Sequence, residues 1–183
     1  MRHAFTIQGD VGFANAIRRT LIEDLENWAP CKVTFRSNTS CQTDEYIAHR
    51  IGLIPFRKAG EGNEMTLRHK GGIVYAHHVT GCAFEPIHCD VPIMDLGDDS
   101  VLDITIFFDK RKPSKHARYS TCTAVGMEKL EDERYRITFE MHDDQLNASK
   151  VFALALDNLE ARVDDCLQKL GNQPDPPPKS RCG

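Results

Sequence analysis

The residues with the clearest potential for chemistry are cysteines and histidines near the middle of the chain. Cys82, His88 and Cys89 follow His77 and His78, and thiolate and imidazole groups are the ligands that zinc prefers. Structural zinc sites bring their cysteines in closely spaced pairs, and the sequence contains no C-x2-C or C-x4-C pair. We therefore predict no bound metal and no other cofactor.

A cysteine beside a histidine could also act as a nucleophile in a small hydrolase. None of the seven cysteines stands in a sequence context typical of an activated thiol, so the residues leave this possibility open without favouring it. An odd number of scattered cysteines indicates free thiols in a reducing compartment. The first residues also lack the apolar segment of a signal peptide, and we predict an intracellular protein.

A basic segment, residues 110–118, carries five Lys or Arg in nine residues. Positive charge of this density fits a phosphate backbone or an acidic protein surface, but it is equally typical of a solvated loop between strands. The whole chain has 23 Lys and Arg against 27 Asp and Glu, a net charge of −4, which disfavours a general grip on nucleic acid. Two acidic pairs, Asp98-Asp99 and Asp143-Asp144, are predicted to be solvated turns.

Two amphipathic helices stand near the ends of this 183-residue chain. The first is predicted from about Gly12 to Asn27, with Asp10 as its cap and Pro30 as its stop. Its apolar side chains recur every four residues: Phe13, Ile17, Leu21 and Leu25. The second is predicted from about Ala148 to Leu170, with Asn147 as its cap and a heptad seam formed by Phe152, Leu156, Leu159, Val163, Cys166 and Leu170.

The final helix is apolar on more than one side, which is typical of a helix with a sheet on one side and another helix on the other. In so short a chain, the second surface is predicted to belong to a partner. The alternative is that both helices simply cover their own sheet.

Strands and turns fill the middle of the chain. A strand is predicted over Lys32–Ser37, followed by a short helix that begins at the cap Thr43 and ends before a left-handed Gly52. Residues 57–72 are predicted to form a junction rich in Gly and Lys. Alternating apolar residues then predict three strands, within residues 73–79, 102–108 and 134–141.

Four segments carry a resemblance to a known family. NAIRRTLI at residues 15–22 resembles the first-helix signature of the α-like subunits of multisubunit RNA polymerases. DEYIAHRIGLIP at residues 44–55 looks like the second signature of that family in its archaeal and eukaryotic branch. VPIMDL at residues 91–96 and KHARYS at residues 115–120 are similar to two further marks of the family, in the same order.

The resemblance implies an α+β protein with the RNA polymerase α-like fold, of the archaeal D type and eukaryotic third-largest-subunit type. Its discontinuous dimerisation domain, a sheet with two long helices, would comprise residues 1–57 and 129–170. A mainly-β inserted domain would comprise residues 58–128, and residues 171–183 would form a flexible Pro-rich tail. The change of hydrophobic period near residue 57 agrees with this division.

By the same resemblance, the chain would be a non-catalytic subunit that pairs with a smaller α-like subunit of the archaeal L type. The pair would form the platform on which the second-largest and largest subunits assemble, without a direct grip on DNA and without a membrane. The expected dimer contacts are Phe13, Ile17, Leu21, Phe152, Leu159, Val163 and Cys166. The expected contacts to a large subunit are Arg18, Arg19, Glu45, His49 and Arg50.

Three features depart from the family pattern. The Cys-rich metal loop of many relatives is missing, the segment before the first helix is short, and a C-terminal DNA-binding domain is not expected. Such compaction would suit a large DNA virus or another divergent lineage, so nucleus, cytoplasm and virus particle all stay open as locations. Besides a polymerase subunit, the residues leave room for a homodimeric scaffold outside any polymerase and for the Cys–His hydrolase.

Overall fold

A computed structural model describes residues 2–171, in which helices and antiparallel strands form an α+β protein, as predicted. The tail predicted for residues 171–183 lies, from residue 172 onward, outside the described residues. In chain order the elements are β1 (Arg2–Gln8), α1 (Val11–Glu23), β2 (Asn27–Asn38), α2 (Asp44–Gly52), β3 (Phe56–Lys58), β4 (Glu64–Tyr75), β5 (Val79–Thr80), β6 (Phe84–Pro86), β7 (Pro92–Arg111), β8 (Cys122–Lys129), β9 (Arg134–Met141) and α3 (Ala148–Gly171).

The first unit is a three-stranded sheet with the order β1–β9–β8, covered by α1 and α3. Aromatic rings bridge the sheet and the final helix, since the ring centroids of Phe5 and Phe152 lie 4.5 Å apart in a stacked arrangement. We call its buried residues the first core: Ile17, Leu21, Leu25, Cys122, Ile137, Phe139, Met141, Val151, Phe152 and Ala155.

The second unit is a four-stranded sheet with the order β2–β7–β4–β5, together with α2 and the small ribbon β3–β6. The predicted alternation in β7 is confirmed, because Leu102, Ile104, Ile106 and Phe108 are all buried on one face. Helix α2 adds Ile47 and Ile51 to the same apolar cluster, which we call the second core.

The packing of three elements differs from the division predicted at residues 57 and 129. Strand β2 pairs with β7 and helix α2 packs on the second core, although both precede residue 57. Strand β8 pairs with β9 in the first unit, although it precedes residue 129. The reason is long-range pairing: Val33 of β2 lies opposite Ile106 of β7, and a change of local period cannot report such a partner.

Helix α1 begins as predicted and ends earlier than predicted. The carboxylate of Asp10 accepts a hydrogen bond from the Phe13 N–H at 2.7 Å, which confirms the cap. The helix stops at Glu23 because Asn27 already belongs to β2. Pro30 therefore lies inside an edge strand, where its missing N–H removes no hydrogen bond between strands.

The caps of the other two helices are confirmed. Thr43 Oγ1 accepts from the Tyr46 N–H at 3.4 Å, and Asn147 Oδ1 accepts from the Ser149 N–H at 2.9 Å. Side-chain oxygens thus satisfy N–H groups that have no partner inside the helix, and this fixes where each helix begins.

Gly52 is part of α2 and does not take the left-handed conformation predicted for it. Its lack of a side chain serves a close approach instead, because a Cβ at this position would lie 3.1 Å from Nη1 of Arg118. That nitrogen donates to the Pro30 carbonyl at 2.8 Å. The glycine therefore makes room for a guanidinium that joins α2, β2 and the segment after β7.

Candidate subunit-interaction surface

The main surface feature is an apolar helix end. The N-terminal half of α3 packs on the first core, but every residue from Glu160 to Leu170 is exposed, and we call residues 160–170 the overhang. Val163 and Leu170 are 50% and 65% exposed, and Leu167 lies between them in the sequence. Because these three residues are spaced by four and three positions, they form one apolar stripe along the overhang.

The seven side chains predicted at a dimer interface fall into two groups. Three of them lie in the first core of the chain itself: Ile17, Leu21 and Phe152. Four reach the surface fully or in part: Phe13, Leu159, Val163 and Cys166. The regular spacing of apolar residues identifies one side of each helix. The first core buries part of that side, and the rest stays exposed.

The start of α1 exposes a second apolar patch. Phe13 is 44% exposed, and Val11 beside it is exposed as well. Large apolar side chains grouped on the surface of a soluble chain are typical of a protein interface. The exposed stripe of the overhang and this patch are therefore the candidate partner surfaces of the first unit.

The two arginines of α1 project off its buried side, as predicted. Arg18 is half-buried, and its guanidinium donates to Asn15 Oδ1 at 3.0 and 2.8 Å. Arg19 is exposed and forms an ion pair with Glu23 at 3.5 Å. An exposed ion pair of this kind contributes little to folding stability. Arg19 can therefore leave Glu23 and bind a partner subunit with little loss of stability.

The three predicted docking residues of α2 do not share one environment. Glu45 and His49 are exposed along a groove of about 340 Å³ whose wall also includes Arg118. Arg50 instead turns toward β7, where Nη2 donates to the Pro92 carbonyl at 2.7 Å. Its guanidinium therefore fastens α2 to a strand of the same unit.

Three of the five basic side chains in segment 110–118 form ion pairs with acids of the same chain. Lys110 lies 3.5 Å from the carboxylate of Glu26, and Lys112 lies 3.6 Å from that of Asp24. Arg111 pairs with Asp109 at 2.5 Å. These contacts pair three basic side chains with acids just after α1 and in β7, and each of the three stays about half exposed.

The histidines and cysteines of the middle segment do not converge. Within residues 2–171, no group of three or more His, Cys, Asp or Glu is arranged to hold a metal ion. His77 Nδ1 lies 2.9 Å from the Cys89 carbonyl, and His78 Nδ1 accepts from the Tyr75 N–H at 3.1 Å. Burial, with the nearby His69 and His77, lowers the pKa of His78. These rings have local structural partners.

Two cysteines have environments that suppress thiolate formation. Burial raises the pKa of the Cys122 thiol to about 12. Burial and the nearby carboxylate of Asp109 raise the pKa of Cys31, whose thiol donates to the Phe107 carbonyl at 3.3 Å. Since the thiolate is the nucleophile, neither cysteine is activated for hydrolysis.

One acidic pair departs from its prediction. Asp98 and Asp99 are exposed, as predicted, although they lie within β7. Asp143 is only 5% exposed, and the Arg57 guanidinium donates hydrogen bonds to both of its carboxylate oxygens. The bond from Nε to Oδ2 is 2.6 Å long. This ion pair joins β3 of the second unit to the turn before α3.

A cavity of about 430 Å³ lies beside this ion pair, between the two units. Apolar side chains form much of its wall, among them Trp28, Leu53 and Leu146. Burial, with a smaller effect of His88, lowers the pKa of His142 in the same wall. The cavity thus combines a largely apolar lining with a histidine whose charged form is disfavoured by burial.

No protein-family model matches the chain. The chain is 29% identical over 172 residues to the DNA-directed RNA polymerase subunit Rpo3 of Methanocaldococcus jannaschii, covering 91% of this chain and 88% of that protein. It is 30% identical over 146 residues to Rpo3 of Methanothermobacter thermautotrophicus, covering 67% of this chain and 55% of that protein.

A human relative shows the same similarity in a eukaryote. The chain is 27% identical over 173 residues to the subunit RPAC1 of DNA-directed RNA polymerases I and III of Homo sapiens, covering 67% of this chain and 49% of that protein. The match spans most of one archaeal relative and about half of the other two proteins. Among residues 2–171, no helix has the length and apolar character needed to cross a bilayer.

Proposed function

Since the chain belongs to the α-like subunits of DNA-directed RNA polymerase, of the archaeal D type and eukaryotic third-largest-subunit type, we propose that it is a non-catalytic assembly subunit of such an enzyme. The observation that carries the proposal is the exposed apolar stripe of the overhang, which continues the seam that α3 buries in its own first core. Its role is to bind and orient other subunits inside the cell.

We propose that the overhang and the start of α1 bind a smaller α-like subunit. Obligate interfaces of this kind bury about 2,000 Å² or more. We therefore propose that both exposed surfaces contribute to the interface, the stripe of Val163, Leu167 and Leu170 and the patch of Val11 and Phe13. The second-largest and largest polymerase subunits would then dock on charged surfaces, among them Arg18, Arg19, Glu45 and His49. Each of the relatives described above is named as a subunit of a DNA-directed RNA polymerase, which favours this function over a scaffold outside any polymerase.

Purification from the native source tests this proposal. The full chain is tagged at one end, captured under mild conditions, and its companions are identified by mass spectrometry. The proposal predicts a smaller α-like subunit in equal amount, together with the two large polymerase subunits. Recovery of the chain as a stable assembly without any polymerase subunit would overturn it.

Joint replacement of Arg18 and Arg19 by alanine should weaken docking of a large subunit and leave the small-subunit pair intact. Both side chains lie off the buried side of α1, so folding loses little, whereas charged hydrogen bonds at a partly buried interface are worth about 2–5 kcal/mol. The measurement is the amount of large subunit recovered with each tagged variant. Assembly of the double variant at wild-type yield would exclude the docking role.

Reversal of charge at Lys110 and Arg111 should alter the salt tolerance of assembly rather than the binding of DNA. The basic segment already contacts acids of its own chain, and the net charge of −4 provides no general attraction to nucleic acid. The measurement compares subunit recovery and DNA retention between wild type and the double Glu variant over a range of salt. Loss of DNA binding with unchanged assembly would contradict the expectation.

A further inference from the structure

Asp24, the C-cap residue that follows α1, lies where three parts of the chain meet. The side chain of Asp24 is only 13% exposed, and its carboxylate forms ion pairs with Arg162 of α3 and with Lys112 of the segment after β7. The Lys112 Nζ lies 3.6 Å from Oδ1, and the Asp24 carbonyl accepts from Asn158 Nδ2 at 3.4 Å. One residue thus connects α1, α3 and the second unit.

These contacts stand at the point where α3 leaves the first core. Asn158 and Arg162 flank Leu159, the last seam residue that is partly covered, and the overhang begins immediately after it. Beyond Arg162 the helix extends eight more residues to Leu170, about 12 Å at 1.5 Å per residue. A tilt of about 10° at Arg162 would therefore displace Leu170 by about 2 Å.

We propose that Asp24 is a positioning residue for partner binding: its ion pairs with Arg162 and Lys112 hold the overhang in the direction that the partner requires. The inference rests on the proposed function, because it assumes that the overhang is the partner surface. Asp24 forms its ion pairs away from the apolar stripe, and it acts on the stripe through Arg162.

The same geometry gives the second unit an influence on partner binding. Lys112 follows β7, one of the two inner strands of the second sheet, so a shift of that sheet relative to α1 would displace the carboxylate that also binds Arg162. The first core does not include Asp24, and its apolar packing is complete without the ion pairs. Loss of the carboxylate charge should therefore free the overhang and leave both cores in place.

Two measurements on the Asp24→Asn variant test the proposal. Amide hydrogen exchange of the full chain expressed alone should become about tenfold faster in residues 160–170 and stay unchanged in β7 and β9. On co-expression with the smaller α-like subunit of the same genome, the dissociation constant of the pair should rise about three- to tenfold, as expected for loss of two ion pairs whose basic partners are about half exposed. Asp157→Asn is the matched control, since Asp157 is an exposed α3 residue without an ion pair among residues 2–171.

A charge-swapped triple variant separates positioning from general destabilisation. Asp24→Lys alone should weaken pairing, and Asp24→Lys with Lys112→Glu and Arg162→Glu should restore both slow exchange and pairing. Unchanged exchange in the overhang of Asp24→Asn, or failure of the triple variant to restore it, would overturn the positioning role. If the wild-type chain captures no smaller subunit at all, the proposed function fails, and the exchange measurement still decides whether Asp24 holds the overhang.

Discussion

Replacing Val163 by aspartate is expected to abolish pairing with the smaller α-like subunit while leaving the fold of the chain intact. Val163 is half exposed in the chain alone, so a carboxylate there stays hydrated and costs folding little. In the paired state the same carboxylate would lie unpaired in a dry helix interface, at a cost of several kcal/mol. The dissociation constant should therefore rise by at least about a hundredfold, measured by co-purification and by sedimentation of the mixture.

Leu154→Asp is the matched control for this prediction. Leu154 is 48% exposed, close to the value for Val163, but it lies on the opposite side of α3. The control variant should pair normally, and both variants should unfold at the same denaturant concentration as wild type. Pairing of Val163→Asp at wild-type strength would remove the overhang from the interface, and a stable symmetric dimer of the wild-type chain alone would favour the homodimeric scaffold.

Phe152 and Val163 show how far the sequence alone leads. Both belong to one heptad seam, yet Phe152 is buried in the first core and Val163 faces solvent. Periodicity identifies the apolar side of a helix, but it does not say whether a sheet of the same chain or another protein covers that side. Helix α3 has 24 residues, about 36 Å at 1.5 Å per residue, whereas the strands of the sheet have seven or eight, about 26 Å at most. The sheet is therefore too short to cover the whole helix, and strand length depends on pairing between distant segments.

The sequence features that predicted the structure correctly are those that act on a backbone group only a few residues away. The caps at Asp10, Thr43 and Asn147 are confirmed because each side chain bonds an N–H two or three residues later. The division into two units could not be predicted from such local features, because β2 pairs with β7, a strand distant in the sequence. Strands β1 and β8 were not predicted at all, and β4 occupies part of the segment 57–72 predicted as a junction.

Asp143 illustrates the same limit for charged residues. Asp143 and Asp144 are adjacent and chemically identical, and the sequence predicted a solvated turn for both. Only Asp143 meets a guanidinium from β3, so only Asp143 is buried. A carboxylate is buried only when an opposite charge compensates its desolvation, and that partner lies far away in the sequence.

Replacing Asp143 by asparagine is therefore expected to lower the free energy of unfolding by about 3 kcal/mol, because it leaves the Arg57 guanidinium without its main partner. The value lies at the lower end of the range for broken buried pairs, since Glu85 still lies 3.0 Å from Arg57. The asparagine carbonyl can also still accept from the Gln145 N–H, now bonded at 3.0 Å. Asp144→Asn is the control, because Asp144 is exposed and forms no ion pair among residues 2–171.

The pH dependence of stability separates the ion pair from simple packing. The hydrogen bonds from Arg57 hold the pKa of Asp143 below its ordinary value. A carboxylate whose pKa is lowered by folding stabilises the native state fully above its unfolded pKa, about 3.9, and loses this contribution as the pH falls through its folded pKa. Wild type should therefore lose stability more steeply than Asp143→Asn as the pH falls below about 4, so that the two unfolding curves, about 3 kcal/mol apart at pH 7, converge in acid. Denaturant unfolding of wild type and Asp143→Asn at pH 7, 5 and 3 measures the difference in their free energies of unfolding. A difference that stays constant with pH would mean that Asp143 acts through its shape rather than through its charge.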